Sequence, residues 1–587
     1  MNPNLKLRED AHAGDSRRTH AHSASGFDLL ATAPDGVRRL RELILSLAVR
    51  GKLVRQSAED ESAKTLLRKI SAEKAVLLSK AASKKERPLP PITPDMIPFG
   101  VPASWIWTRL GDLAKKVTDG THHSPPNHRQ GDFRYISAKN IKPWGIDLSD
   151  VTYVTKEIHD EIYSRCNPEL GDVLYIKDGA TTGVVAVNTL DEPFSMLSSV
   201  GLIKPSCGIT AHYLATVMAS PFFYQAMRAN MTGVAITRVT IGKLNTALIP
   251  LPPLKEQTRI VERVTELMKA CDSLERNGQR ESQQHARLTS VLLDSLVTCD
   301  SPTTLAETWR RVVQNFALLL DRPEAVDVLE RTILRLAVRG FLVEQRVGEE
   351  PAIDLVKHAK SEKERLGANG KRNRGRGERG RLEQVAVLPK GWTEVGFLDL
   401  CAVEGGATPS KARVNYWSGD MPWVSPKDMK VDVMRDSEDH VSELALRETR
   451  LPVVTEGSVL VVVRGMILAH SFPVAIAERK VTLNQDMKGF TPYIKGISEF
   501  LALVCKGFDR EILSLVERSS HGTCKLESEK LFGFRFGLPP LAEQRRIIAR
   551  VNQLRLLCAL LRTHLRSMSK AQTELSQTLV ASARAVE

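Results

Sequence analysis

The stretch LPPLKEQTRIVERV spans residues 251–264, and LPPLAEQRRIIARV spans residues 538–551, their starts 287 positions apart in a chain of 587. In each copy two prolines, Pro252-Pro253 and Pro539-Pro540, end the preceding strand. They also suit the edge of a helix, where a missing N–H costs nothing. Glu256 and Glu543 fall in the first turn, where a carboxylate favours the positive end of the helix dipole. An apolar seam follows at spacings of four and three. It is Ile260, Val264, Leu267, Cys271 and Leu274 in the first copy, and Ile547, Val551, Leu554, Cys558 and Leu561 in the second. The second seam runs on through Leu565, Met568, Leu575 and Leu579. A stripe this narrow asks for a single helical partner. The equivalent helix of the other half, or its N-terminal helix, is expected in preference to packing on the helix's own domain alone. Like halves joined through like helices predict a pseudo-two-fold particle.

The repetition extends far beyond the phrase. FDLLATAPDGVRRLRELILSLAVRGKLVRQ from Phe27 aligns with FALLLDRPEAVDVLERTILRLAVRGFLVEQ from Phe316. Leu-Ala-Val-Arg-Gly is identical at 47–51 and 336–340. Leu40, Ile44 and Leu47, like Leu329, Ile333 and Leu336, form helical stripes over about 35–50 and 324–339. Gly51 and Gly340 then suit left-handed C-caps. Pro102 and Trp105 match Pro389 and Trp392, GDFRYISAKNIK (131–142) matches GDMPWVSPKDMK (419–430), and GDVLYIKDG (171–179) matches GSVLVVVRG (457–465). This period is too long for a solenoid and predicts two similar globular units. The apolar runs within 98–250 and 386–537 read as short strands. Helical patches follow from Ala211 and Ser498.

Apolar content of 42% and charged content of 26% are ordinary for a globular chain, while a formal charge of +14 favours a polyanionic partner, nucleic acid first. The eight cysteines include no C-x-x-C pair and no zinc spacing, which suits a reducing cytoplasm. No apolar run reaches transmembrane length, and residues 1–26 read as a disordered tail without a signal-peptide core. Residues 60–87 read as a basic helix, and GKRNRGRGERGR at 370–381 as a flexible basic connector. There is no phosphate-binding loop, nucleophile elbow or H-E-x-x-H, and no Asn/Asp-Pro-Pro-aromatic tetrapeptide of adenine methyltransferases. His122, His123 and His128 lie in a Pro/Asn-rich loop without a carboxylate or cysteine cluster, so no metal is expected. The chain reads as a binder, not a catalyst.

Between the matching anchors the halves diverge. VTDGTHHSPPNHRQ (117–130) faces VEGGATPSKARVNYWS (403–418), both Gly/Pro-rich loops able to deliver polar and basic groups to bases and phosphates. The candidate DNA-binding residues of the first half are Thr121, His122, Asn127, Arg129, Lys139, Asn140, Lys177 and Arg238. Those of the second are Thr408, Ser410, Lys411, Arg413, Tyr416, Lys427, Arg464 and Lys525. Trp105, Trp392 and Trp423 are expected in the cores.

The paired helix starts, LRELILSLAVRGKLV with its copy, and GGATPSKARVNYWSGDMPWVSPKDMK (405–430) together resemble the specificity subunit of type I restriction–modification enzymes. The resemblance covers Phe27 to the C-terminus. The first domain's THHSPPNHRQ departs from the TPSK…YW pattern that the second keeps. The resemblance implies an α+β fold class: two tandem pseudo-two-fold-related α/β target-recognition domains joined by long antiparallel coiled-coil-like helices. The implied domains are 1–26 (tail), 27–97 (helical), 98–250 (recognition domain 1), 251–300 (central long helix), 301–385 (helical region with connector), 386–537 (recognition domain 2) and 538–587 (C-terminal long helix). The resemblance further implies a bipartite DNA target and docking of two adenine methyltransferase subunits and of restriction/translocase subunits, with the seam residues of both long helices serving helix pairing and docking. It implies no cofactor in this chain, with S-adenosylmethionine, ATP and Mg in the partners. Alternatives are the recognition part of a modification-only or type II-like methyltransferase system, and a protein-binding scaffold.

Overall fold

The computed structural model describes residues 30–80, 88–229, 238–299, 301–367, 388–518 and 522–585. The stretches 1–26 and 370–381 lie outside the described residues. The chain forms two compact units, one of Met1–Arg280 with Ser569–Glu587, the other of Glu281–Met568.

The first unit opens with α1 (Gly36–Val49), the amphipathic helix expected there, and α2 (Ala63–Lys80). Helix α1 ends in a Schellman turn: the Lys52 amide donates to the Leu47 carbonyl and the Gly51 amide to that of Ala48. Gly51 has φ +70°, and a Cβ there would lie 2.5 Å from Pro102 Cγ, so only glycine fits. Strand β1 (Ile106–Arg109) leads to β2 (Ala114–Asp119), β3 (Phe133–Ile136), β4 (Thr152–Val154) and α3 (Lys156–Arg165). Then come β5 (Val173–Ile176), β6 (Val185–Val187), β7 (Phe194–Met196), β8 (Val200–Pro205), α4 (Ala211–Ala219), α5 (Pro221–Arg228) and β9 (Leu248–Leu251). A four-stranded antiparallel sheet has the order β2-β8-β5-β6, and a three-stranded sheet the order β4-β3-β7. All four residues of β5 are buried, which is why VLYI is continuously apolar. Strands β1 and β9 pair antiparallel, Ile106 opposite Leu251, and bring the ends of the intervening α/β segment together. The chain then enters α6 (Leu254–Val297), a helix of 44 residues.

The second unit repeats this plan. It holds α7 (Pro302–Gln314), the amphipathic α8 (Pro323–Val338) and α9 (Ala352–Gly367). Gly340, at φ +80°, closes α8 with the same Schellman turn, and a Cβ there would lie 2.6 Å from Pro389 Cγ. Strands β10 (Thr393–Gly396), β11 (Cys401–Gly405), β12 (Met421–Val424), β13 (Val433–Met434) and β14 (Asp439–Val441) follow. Next are β15 (Val453–Val454), β16 (Val459–Val462), β17 (Val474–Ala477), β18 (Val481–Leu483), β19 (Met487–Pro492), α10 (Ser498–Gly507) and β20 (Arg535–Leu538). One sheet has the order β11-β19-β16-β17-β13, another β14-β12-β18-β15, and β10 pairs with β20 as β1 does with β9. Helix α11 (Leu541–Ala585) completes the chain.

The repeated phrase is a clasp. Glu256 is buried on the first turn of α6, accepting from Trp105 Nε1 at 3.0 Å and Gln56 Nε2 at 2.6 Å. Glu543 on α11 accepts from Trp392 Nε1 at 3.1 Å, with Gln345 as a further partner. Burial pushes both carboxyls above their ordinary range despite these donors. Gln257 donates to the Gly208 and Pro252 carbonyls, and Gln544 to that of Pro539. Arg259 pairs with Asp60 at 2.6 Å, and Arg546 pairs with Glu349. Each long helix is therefore tied at its start to its own unit's sheet-bearing segment and to the segment after the unit's amphipathic helix.

The seams find two kinds of partner. In the first unit Ile260, Val264 and Cys271, with Leu267 and Leu274 against them, share a core with Leu40 and Ile44 of α1 and with Val580 from the end of α11. In the second, Cys558, Leu554 and Leu561 pack with Leu329, Ile333 and Leu336 of α8 and with Leu293, Leu296 and Val297 from the end of α6. Ile547 and Val551 join the core around the second unit's sheets. The extension through Met568 and Leu575 is corrected: both are exposed, and Ser576 and Val580 are buried instead. A straight helix of 3.6 residues per turn drifts off a seven-residue stripe over such a length.

Candidate nucleic-acid interface

In the first domain the loop after β2 carries Thr121, whose backbone bridges to Leu197, followed by the exposed His122. Asn127 donates to the Pro125 carbonyl at 2.9 Å, which shapes the loop, and Arg129 is exposed. Lys139 and Asn140 lie in a short turn after β3. Asn140 is buried, accepting from the Ser137 amide and donating to the Asp147 and Asp150 carbonyls, while Lys139 pairs with Asp150 at 2.7 Å. The second domain builds the same turn with Asp428, which accepts from the Ser425 amide and hydroxyl, each at 2.8 Å. Lys427 there pairs with Asp439 and Glu438, both at 3.0 Å, and these hydrogen bonds raise its pKa.

Beside the loop, Asp119 and Lys177 are buried side by side. Asp119 takes the guanidinium of Arg165, the last residue of α3, at 2.5 Å, and His122 Nε2 lies 3.0 Å from the same Arg165 nitrogen. Lys177 Nζ reaches Asp119 at 3.3 Å and Asp178 at 3.1 Å, and Asp178 takes Arg238 Nε at 3.2 Å. Helix α3 is fixed by His159, which stacks on Phe133 at 3.7 Å and meets the Ser195 hydroxyl at 3.0 Å through Nδ1. Burial holds that imidazole below its ordinary pKa.

The second domain keeps the backbone of this place and changes its charges. Asp178 bridges to Arg238, and Arg464 bridges to Lys525. The Val239 amide donates to the Lys177 carbonyl at 2.8 Å, and the Leu526 amide to the Val463 carbonyl at 2.8 Å. Gly201 of β8 faces Asp119 of β2, whereas Lys488 of β19 faces Gly405 of β11. Val463 thus occupies the position of Lys177, and Gly405 that of Asp119. Arg464 lies 3.7 Å from Asp486, and Lys525 pairs with Glu527 at 2.6 Å. Burial lowers the pKa of Lys488, which lies over the Phe532 ring.

On the loop after β11, Thr408 bonds Gln485, and Ser410 and Lys411 are exposed. Arg413 is exposed and pairs with Glu448 at 2.7 Å. Tyr416 is turned into a small core with Trp423 and Val441. Three sequence candidates, Asn140, Lys177 and Tyr416, are therefore buried. Arg165, Asp119 and Lys488 stand at the same place without having been candidates. Arg165 ends an unremarkable helix, and Lys488 sits in a strand, so neither carries a loop signal. Trp105, Trp392 and Trp423 are in the cores as expected. Among the described residues no group of three His, Cys, Asp or Glu is placed to hold a metal ion.

The family model for the type I restriction modification DNA specificity domain matches residues 102–282 and 389–567. The chain is 29% identical over 594 residues to the type I restriction enzyme EcoAI specificity subunit of Escherichia coli, with 96% of each chain covered. It is 29% identical over 569 residues to the EcoEI specificity subunit of Escherichia coli, with 93% of each covered. The crystal structure of the HsdS subunit from Thermoanaerobacter tengcongensis matches at 18% identity and a TM-score of 0.39, covering 83% of this chain and 98% of that one.

Proposed function

We propose, from the premise that the chain belongs to the type I restriction–modification DNA specificity family, a division of labour along it. DNA recognition resides in its two similar domains. Each domain reads one half of a bipartite, asymmetric site in double-stranded DNA. The observation that supports this is the pairing of conserved fixtures with divergent surfaces within one chain. The Trp–Glu clasp, the glycine cap and the bridge at 178/238 and 464/525 recur in both units, while the side chains around that bridge differ in charge. A scaffold built twice with different reading surfaces is what an asymmetric target requires. Exposed basic side chains neutralise phosphates, and loop groups discriminate bases.

Chemistry belongs to partners in this reading: two adenine methyltransferase subunits with S-adenosylmethionine, and restriction subunits with ATP and Mg, all in the cytoplasm. The seam residues are engaged inside their units, so docking passes to exposed apolar positions such as Leu556, Leu557 and Leu560 on α11. Among the described residues no helix is long and apolar enough to cross a membrane.

Exchanging residues 386–537 for the corresponding domain of another family member tests the reading. With the methyltransferase partner present, the methylated sequence should change in one half-site only. A change in both halves, or in neither, refutes the modular assignment.

A further inference from the structure

In the first domain five side chains form one row of alternating charge: Arg165, Asp119, Lys177, Asp178 and Arg238. The three inner side chains are 5%, 4% and 11% exposed, the two outer arginines 51% and 60%. Buried ions lose hydration, and such rows are weak stabilisers compared with apolar packing. The second domain shows that this fold does without one, because Gly405 and Val463 occupy the places of Asp119 and Lys177. The row therefore serves the first domain's own task.

Its effect is to fix two long, exposed guanidinium groups before any ligand arrives. An arginine held in place loses less rotamer freedom on binding. Arg238 is held through Nε, which leaves its two Nη groups as the fork that matches guanine O6 and N7. Arg165 is held at one Nη by Asp119 and flanked there by His122.

We infer that Arg165 and Arg238 are the specificity-determining residues of the first half-site, each reading a guanine in the major groove, with Asp119, Lys177 and Asp178 as positioning residues behind them. The inference rests on the DNA-reading function proposed above. The second domain offers Arg464 and Lys525 at the same bridge without a buried row, so it reads a different sequence.

The test co-expresses the full chain with its methyltransferase partner and maps methylated adenines across the host genome. The variants are Arg165→Gln, Arg238→Gln, Asp178→Asn and, as a control in the other domain, Arg464→Gln. Each arginine change in the first domain is expected to relax one guanine of the first half-site, lowering discrimination there roughly 5- to 150-fold, while the second half-site stays intact. Asp178→Asn is expected to weaken the preference at the position read by Arg238 and nowhere else, a selective change that mere loss of folded protein does not produce. Arg464→Gln should leave the first half-site untouched. A first half-site unchanged by both arginine variants overturns the inference. So does a uniform loss of methylation at all sites by well-folded Arg165→Gln and Arg238→Gln chains, which marks phosphate contacts instead. A wild-type chain that directs no bipartite motif overturns the proposed function itself, an outcome distinct from either.

Discussion

Glu256 and Trp105 lie 151 positions apart and meet at 3.0 Å in a buried site, as Glu543 and Trp392 do at 3.1 Å. Trp105→Phe or Trp392→Phe keeps an aromatic ring but removes the donor with part of the indole, leaving a buried carboxylate oxygen short of a partner. Each is expected to destabilise its unit by about 1–3 kcal/mol, read by denaturant unfolding of the full chain. His159 gives a pH dependence of definite sign. Its native pKa lies below the ordinary value of 6.5, so the unfolded chain binds more protons as the solution is acidified. The contribution of His159 to the first unit's stability is fully present above about pH 6.5 and is lost as pH drops through the native pKa. His159→Gln should flatten that part of the stability–pH curve. A slope unchanged by the substitution removes the assignment. The clasp glutamates were legible in the sequence as helix-start residues, because their place beside two prolines repeats. Their tryptophan partners were legible only as core residues, because nothing in spacing links positions so far apart. Arg165 was invisible for the same reason: its contact with Asp119 appears only when the end of α3 is set beside β2.

Helices α6 and α11 are the elements on which the seam was read, and they show what periodicity can and cannot say. The stripe correctly marked Ile260, Val264 and Cys271 as buried, and Ile547, Val551 and Cys558 likewise. It pointed to the helices of the other half, whereas α1 and α8, each in the same unit as its seam, present equally compatible apolar faces. The structure uses a local amphipathic helix and a distal end in each unit. Near Gly278 the first seam lapses, and nothing lies within 4 Å of a Cβ built there. Four residues inserted at this point lengthen the helix by about 6 Å. The expected outcome is a change of about two base pairs in the gap between half-sites, read from methylated sequences. An unchanged gap shows that the length of α6 does not set the spacing between the half-sites.

At the scale of the whole molecule, duplication was the most legible property, because one phrase, one glycine cap and one tryptophan recur at nearly constant offset. Less legible was the division of the chain. The first unit contains Ser569–Glu587, and Arg39 bonds Ser576 there while Val580 enters its core. Deleting residues 569–587 is therefore expected to destabilise the N-terminal unit more than the second, measured by proteolysis within 98–250 against 388–518. Equal protection of the two regions refutes this.

The same ownership sets an order of events during synthesis. Residues up to Arg280 are synthesised long before Ser576 and Val580, which pack within the same unit. Domains that close as they emerge gain nothing from the end of their message. Here residues that follow the second unit in sequence, Val580 among them, supply part of the first unit's core.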